Sequence, residues 1–167
     1  MRGRWIEPAF WWAAASAVLM IIGAFGPWAK IKPLSAIPLP GPPPPGLPDI
    51  TITISGTDAG DGWTIVVLAL VGGAALFAGR LLRLRWGPLV AAAAGAVSFG
   101  ITIYDNSDLA STVDRTPLKN FIDPGWGVFL ALGASVSLAV ASGVLFWLIR
   151  LQQQPAPAAV EPPAATG

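Results

Sequence analysis

Four stretches of the chain are apolar on every face and hold no charged residue: Ala9–Ala29, Gly62–Gly79, Trp86–Tyr104 and Pro124–Ile149. Each matches the roughly 20 apolar residues with which an α-helix crosses the hydrocarbon core of a bilayer. A helix on the surface of a soluble domain shows a polar face at the helical period, and these runs show none. The pattern predicts an all-α integral membrane protein, a four-transmembrane-helix bundle. Its spans fall at about residues 9–29, 63–82, 87–104 and 126–149, with external loops 30–62 and 105–125, inside a membrane domain of residues 1–150.

Between the first two spans the pattern changes to strict alternation. Asp49-Ile50-Thr51-Ile52-Thr53-Ile54-Ser55 sets β-branched apolar residues against polar ones, the period of a half-buried strand. Upstream, Pro40-Gly41-Pro42-Pro43-Pro44-Pro45-Gly46 can form neither helix nor central strand. The expected element is a small extracytoplasmic β-hairpin, Ile31–Pro38 pairing with Ile50–Ser55 and the proline run forming its tip. Pro33 and Pro38 confine the first strand to an edge, and the isoleucine face is expected to cover the outer helix ends. In the second loop the spacing of Leu109 and Val113 continues the third helix to about Arg115. The segment 151–167 is rich in Pro and Ala, cannot bury a core and reads as a disordered cytoplasmic tail.

Charge sets the threading. With the N-terminus inside, the cytoplasmic segments hold Arg2, Arg4, Arg80, Arg83, Arg85 and Arg150, six of the ten cations. Lys30, Lys32, Arg115 and Lys119 lie outside, together with Asp49, Asp58, Asp61, Asp105, Asp108, Asp114 and Asp123. The positive-inside rule therefore places both termini in the cytoplasm, in a plasma membrane protein crossed four times. The first run is longer than a signal-peptide core and leaves through Gly26-Pro27-Trp28, a poor cleavage site, so a retained anchor is expected. Tryptophans follow the same layout as interfacial anchors: Trp5, Trp11, Trp12, Trp86 and Trp147 toward the cytoplasm, Trp28, Trp63 and Trp126 toward the exterior.

Composition narrows the chemistry. Charged residues make up 11% of the chain and mean hydropathy is +0.64, against about 25% charged residues in a soluble domain. The sequence has no Cys and no His, which excludes thiol nucleophiles, disulfides, Cys/His zinc sites and imidazole catalysis. Intramembrane ionisable residues are the usual mark of a transport or proton pathway, and the four spans contain none. No cofactor and no nucleic-acid partner are indicated.

Two acid pairs stand outside the membrane, Asp58/Asp61 and Asp105/Asp108. Calcium takes about six to eight oxygens, so neither pair suffices alone, although both loops together could form a joint site. Caps, turns and ion pairs to Arg115, Lys119 or the first-loop lysines are the simpler roles. With the neighbouring tryptophans, these acids define the candidate extracytoplasmic interaction surface: Asp58, Asp61, Trp63, Asp105, Asp108 and Trp126. Within the spans, small residues recur four apart at Ala69/Gly73, Ala75/Gly79, Ala91/Gly95, Ala96/Gly100, Gly127/Ala131 and Ala139/Gly143. Such faces let helices approach closely, in the bundle itself or against a homo-oligomer or membrane-protein partner. Ser16, Ser98, Thr102, Ser135, Ser137 and Ser142 are expected to bond carbonyls of their own helices.

Trp28, the loop ending Ser55-Gly56-Thr57-Asp58…Asp61-Gly62-Trp63, the Arg80–Arg85 turn and Asp123-Pro124-Gly125-Trp126-Gly127 resemble small four-span membrane proteins of actinobacterial type. That group is uncharacterised, so the resemblance implies an architecture and no activity. The layout is also similar to the claudins, with four spans and a β-structured first loop, but their Gly-Leu-Trp…Cys…Cys motif is absent. The alike approaches Asp61-Gly62-Trp63 and Asp123-Pro124-Gly125-Trp126 leave open two related helix–loop–helix halves. The expected function is a non-enzymatic accessory or structural protein of the cell envelope. The alternative is a subunit of a transporter, channel or extracytoplasmic sensor.

Because the chain has no cysteine, single replacements report the threading directly. Thr57→Cys should react with an impermeant maleimide in intact cells, and Leu84→Cys only after permeabilisation. Labelling of Leu84→Cys from outside reverses the orientation.

Overall fold

The computed structural model describes residues 5–33, 51–59, 61–114 and 121–153. In chain order the elements are α1 (Ile6–Phe25), β1 (Pro27–Ile31), β2 (Ile52–Ser55), α2 (Gly56–Ala59), α3 (Asp61–Leu81), α4 (Gly87–Asp114), β3 (Ile122–Pro124) and α5 (Trp126–Gln152). The helices α1, α3, α4 and α5 are each long and apolar enough to cross a membrane. They form a four-helix bundle in which α1 packs on α3 and α5, and α4 closes the ring against the same two.

Helix ends follow local chemistry. The Gly26 amide donates to the carbonyls of Ile22 and Gly23, and Pro27 has no amide with which to continue the helix. The expected first span to Ala29 is thus too long, because Pro27, Trp28 and Ala29 already belong to β1. At the other end of the bundle Arg83 takes a left-handed φ of 54° and the Gly87 amide donates to the Leu84 carbonyl, closing a tight basic turn. The helix α4 runs through to Asp114, matching the expected continuation past Tyr104.

All three strands lie on one side of the bundle, in an antiparallel sheet of order β2-β1-β3. The hairpin partner of β2 differs from the expected one: Pro27–Ile31 pairs with Ile52–Ser55, so that Ile31 faces Ile52. Residues 34–50, including most of the expected first strand and the proline run, lie outside the described residues. The third strand is a gain over the sequence reading. Ile122–Pro124, from the second loop, pairs with β1 through Ile31↔Ile122 and Ala29↔Pro124, making β1 central. Of the isoleucine face, Ile52 is 55% exposed and Ile54 half-buried, while Ile50 lies outside the described residues.

The bundle core is built on close backbone approach. A Cβ at Gly23 would stand 2.6 Å from the Ala131 amide, and one at Gly95 would stand 2.7 Å from the Ala139 amide. Of the small pairs, Ala91/Gly95 thus faces α5, whereas the exposed Gly100 of Ala96/Gly100 has nothing within 4 Å and points out of the bundle. Large apolar side chains such as Val97, Ile103, Phe129 and Val140 cover the outside. This inversion is expected in lipid, where apolar side chains gain little by leaving the tails and packing favours small residues inside.

Three of the six hydroxyls bond a carbonyl of their own helix as expected: Ser16 donates to Trp12 at 2.9 Å, Thr102 to Ser98 at 2.8 Å and Ser135 to Ala131 at 2.7 Å. Ser98 and Ser142 have no partner among the described residues, and Ser137 accepts from α1. Trp12 departs from its expected boundary role. Its indole N–H donates to Ser137 of α5 at 2.7 Å, well along both helices, and the Ser16 hydroxyl reaches Ser137 Oγ at 2.9 Å. This polar cluster pins α1 to α5.

Packing geometry sets the expected response to substitution. Gly95→Leu would drive four heavy atoms into the α5 backbone, and overpacking of this kind costs about 1–3 kcal/mol or more. It should lower the melting temperature in micelles by several degrees, while Gly100→Leu, with open space around it, should leave it unchanged. Equal effects at the two positions would contradict this helix arrangement.

Candidate site on the sheet side of the bundle

The candidate site is assembled by one irregularity in β1. Pro27 pairs with Ser55 and Ala29 with the adjacent Ile54, so Trp28 is the extra residue of a β-bulge. A bulge breaks the alternation of faces and re-aims a side chain. Here it buries Trp28 and Ala29 in succession. Trp28 is 5% exposed, and its indole N–H donates to the Gly23 carbonyl at 3.0 Å. The sequence placed Trp28 at the headgroup boundary with the other tryptophans. Instead it plugs the end of the bundle, whereas the other seven tryptophans are exposed.

Glycines surround this plug because side chains have no room there. Gly56 lies against the indole of Trp28, and Gly62 lies against the backbone of Gly56 and Thr57. Gly125 abuts the Pro27 carbonyl and donates its amide to the Trp28 carbonyl at 2.8 Å. Gly127 would place a Cβ 2.6 Å from the backbone of Gly26. The glycines of Ser55-Gly56, Asp61-Gly62 and Pro124-Gly125-Trp126-Gly127 are therefore contact points between the two loops and the helix ends. Sequence reasoning singled out Gly127 alone, as half of the small pair Gly127/Ala131, and gave Gly56, Gly62 and Gly125 no packing role. The signal for more was their clustering beside Trp28 and at both helix starts.

The six candidate surface residues separate into distinct roles. Asp58 belongs to a local cap: it accepts from the Ser55 hydroxyl at 2.6 Å and the Ser55 amide at 3.2 Å, while its own amide donates back to Ser55 Oγ at 3.2 Å. This is the reciprocal Ser-x-x-acid capping box that starts a helix. The Ser55 hydrogen bonds hold the Asp58 carboxyl below its ordinary value. A depressed carboxyl contributes its stability above the unfolded pKa and loses it as pH falls through the folded one.

Asp61, at the start of α3, comes within hydrogen-bonding reach of Asp105 on α4, and Asp108 lies close enough to add its charge. The Oδ2 of Asp105 is buried and meets no hydrogen-bond partner. Asp105 lies in the C-terminal part of α4, so these acids bring that end of α4 beside the start of α3. Among the described residues, no group of three or more acids is arranged to hold a metal ion. The pairing considered for Asp105 and Asp108 with the first-loop lysines is not formed; Lys32 pairs with Asp123 at 3.2 Å, tying β3 to the residue after β1. Arg115 and Lys119 lie outside the described residues.

Trp63 and Trp126 are half exposed, at 55% and 50%. Trp63 sets its ring edge-on to Phe25 at 5.8 Å, and Trp126 lies against Gly26. The structure thus brings Asp61, Asp105 and Asp108 together. It leaves Asp58 in its own turn, and gives the two tryptophans to the junction of α1 with α3 and α5. No protein family, curated protein or solved structure matches this chain.

The bulge makes a graded test available. Trp28→Phe keeps an aromatic ring but removes the indole hydrogen bond to the Gly23 carbonyl, a loss of about 1 kcal/mol. Trp28→Ala also empties the plug, at about 3–5 kcal/mol. Melting temperature in micelles should fall in the order wild type, Trp28→Phe, Trp28→Ala. Matching substitutions at the exposed Trp126 should have much smaller effects.

Proposed function

We propose that this chain is a non-enzymatic accessory or structural protein of the plasma membrane, working through contacts made on its sheet-bearing, extracytoplasmic face. One observation carries the reading. Among the described residues, the side chains buried inside the bundle are small or apolar, with five hydroxyls as the only polar ones. Ser98 and Ser142 leave their hydroxyl oxygens unpartnered, but isolated hydroxyls do not form a conducting path. Polar and charged groups gather at the two ends. The elaborated end is the sheet, where both loops are fastened into one surface and the exposed Lys32–Asp123 pair links them.

The buried oxygen of Asp105 favours a second reading, an extracytoplasmic sensor or transport subunit that takes up protons at this face. Among the described residues no metal-holding group of acids stands at this face that would favour an enzymatic role. Chemical crosslinking in intact cells followed by purification separates the classes. A stoichiometric partner linked through residues of the sheet side supports the accessory role. Solute or proton flux from the pure protein in liposomes overturns it.

A further inference from the structure

Between α1 and α5, on the outer surface of the bundle, lies a groove of about 450 Å³. Trp5, Pro8 and Trp12 form one wall, and Ser137, Val144 and Leu148 line the other. It begins at the end of the bundle away from the sheet. From Leu148 to Ser137 it extends about 16 Å at the helical rise. That is half of a hydrocarbon core roughly 30 Å thick, so the groove spans one leaflet, from the headgroup boundary to the midplane.

The chemistry of the walls selects the occupant. The polar groups at the deep end are already engaged, Trp12 with Ser137 and Ser16 with both Ser137 and the Trp12 carbonyl. A polar ligand would find little to bond. Water is equally disfavoured, because a site needs two to four polar partners to hold it. Left empty, the lining would forfeit dispersion contacts along its whole length. The groove is continuous with the lipid-facing surface, where Trp12 is 66%, Val140 59% and Val144 44% exposed. The surrounding fluid is hydrocarbon.

We propose that this groove is a seat for one acyl chain of a membrane lipid, drawn from the leaflet on the side away from the sheet. The inference rests on the membrane reading of the four helices and not on the accessory role. Trp5 stands at the mouth, where an indole settles at headgroup level, and the chain runs inward to the Trp12–Ser137 contact. A seated chain differs from the lipid around the other helices in being enclosed on two sides, so it exchanges more slowly and survives gentle extraction.

The test uses the full chain reconstituted in phosphatidylcholine liposomes that contain a trace of lipid with a diazirine on its acyl chain. After illumination, crosslinks should concentrate in residues 5–12 and 137–148, and native mass spectrometry of the extracted protein should show one retained phospholipid per chain. Val144→Trp and Ala9→Phe, which fill the groove from its two walls, should each reduce both signals several-fold. Val97→Trp, on the exposed face of α4, should leave them unchanged. Circular dichroism identical to wild type establishes that the filling variants fold. Crosslinks spread evenly over the four helices, retention unaffected by filling, or crosslinking of these residues to a second protein chain would each overturn the proposal.

Discussion

The structure depends on how closely backbones can approach at the sheet side of the bundle, and Trp28 is where that constraint is met. An indole is a large apolar body with one donor. Buried at the bundle end, it extends the apolar core to the loops, and its single N–H finds the Gly23 carbonyl. That position requires the bulge in β1, since regular alternation would put Trp28 and Ala29 on opposite faces. The bulge in turn brings β1 close to both loops, and only glycine tolerates the contact at 56 and 125. One large side chain and a ring of absent ones are two aspects of the same packing solution.

The same logic extends down the bundle in a different medium. Water does not drive these helices together, so van der Waals contact along small faces must. Gly23 on Ala131 and Gly95 on Ala139 bring α1 and α4 onto adjacent faces of α5, which places α5 against two neighbours at backbone distance. Polar contacts within the bundle supplement this packing at one level, through Trp12, Ser16 and Ser137. Their value lies in register: a hydrogen bond between two helices fixes their relative sliding, which smooth apolar faces leave free.

Much of this was legible in the sequence because it follows from period and composition. Four charge-free runs give four helices, and alternation at Ile50–Ser55 gives a strand. The reading failed where one residue serves long-range packing. Pro27-Trp28-Ala29 is as apolar as the span before it, so hydropathy extended α1 by several residues and missed β1. Ile122-Asp123-Pro124 is too short and too mixed to show a period, and it is a strand only because β1 lies beside it. Trp28 and Trp126 are chemically alike in sequence, yet one is buried and one half exposed. The bulge that separates them depends on pairing between distant segments. The acids behaved similarly: the local Ser55–Asp58 cap could be read from spacing, whereas the meeting of Asp61 with Asp105 needed the helices to be placed.

The two ends of the bundle are consequently unequal. At the sheet side, β-pairing, the Trp28 plug, glycine contacts and the Lys32–Asp123 pair join both loops to the adjoining ends of α1, α3 and α5. At the opposite end, α1 and α3 meet through the exposed pair Glu7–Arg80, at 2.8 Å, and the Arg80 guanidinium lies over the Phe10 ring. An exposed ion pair contributes about 0–1 kcal/mol, and a cation over an aromatic ring at an exposed site about as much. That polar link adds little to the apolar contact of Phe10 with Phe77 beneath it, whereas the sheet end can change shape only by breaking strand pairing or expelling Trp28. A surface that must present a fixed shape to a partner requires the second kind of construction. A boundary that must accommodate lipid tails tolerates the first. The distribution of rigidity therefore follows the proposed division of labour, with recognition at the sheet and adaptation to the bilayer at the other end.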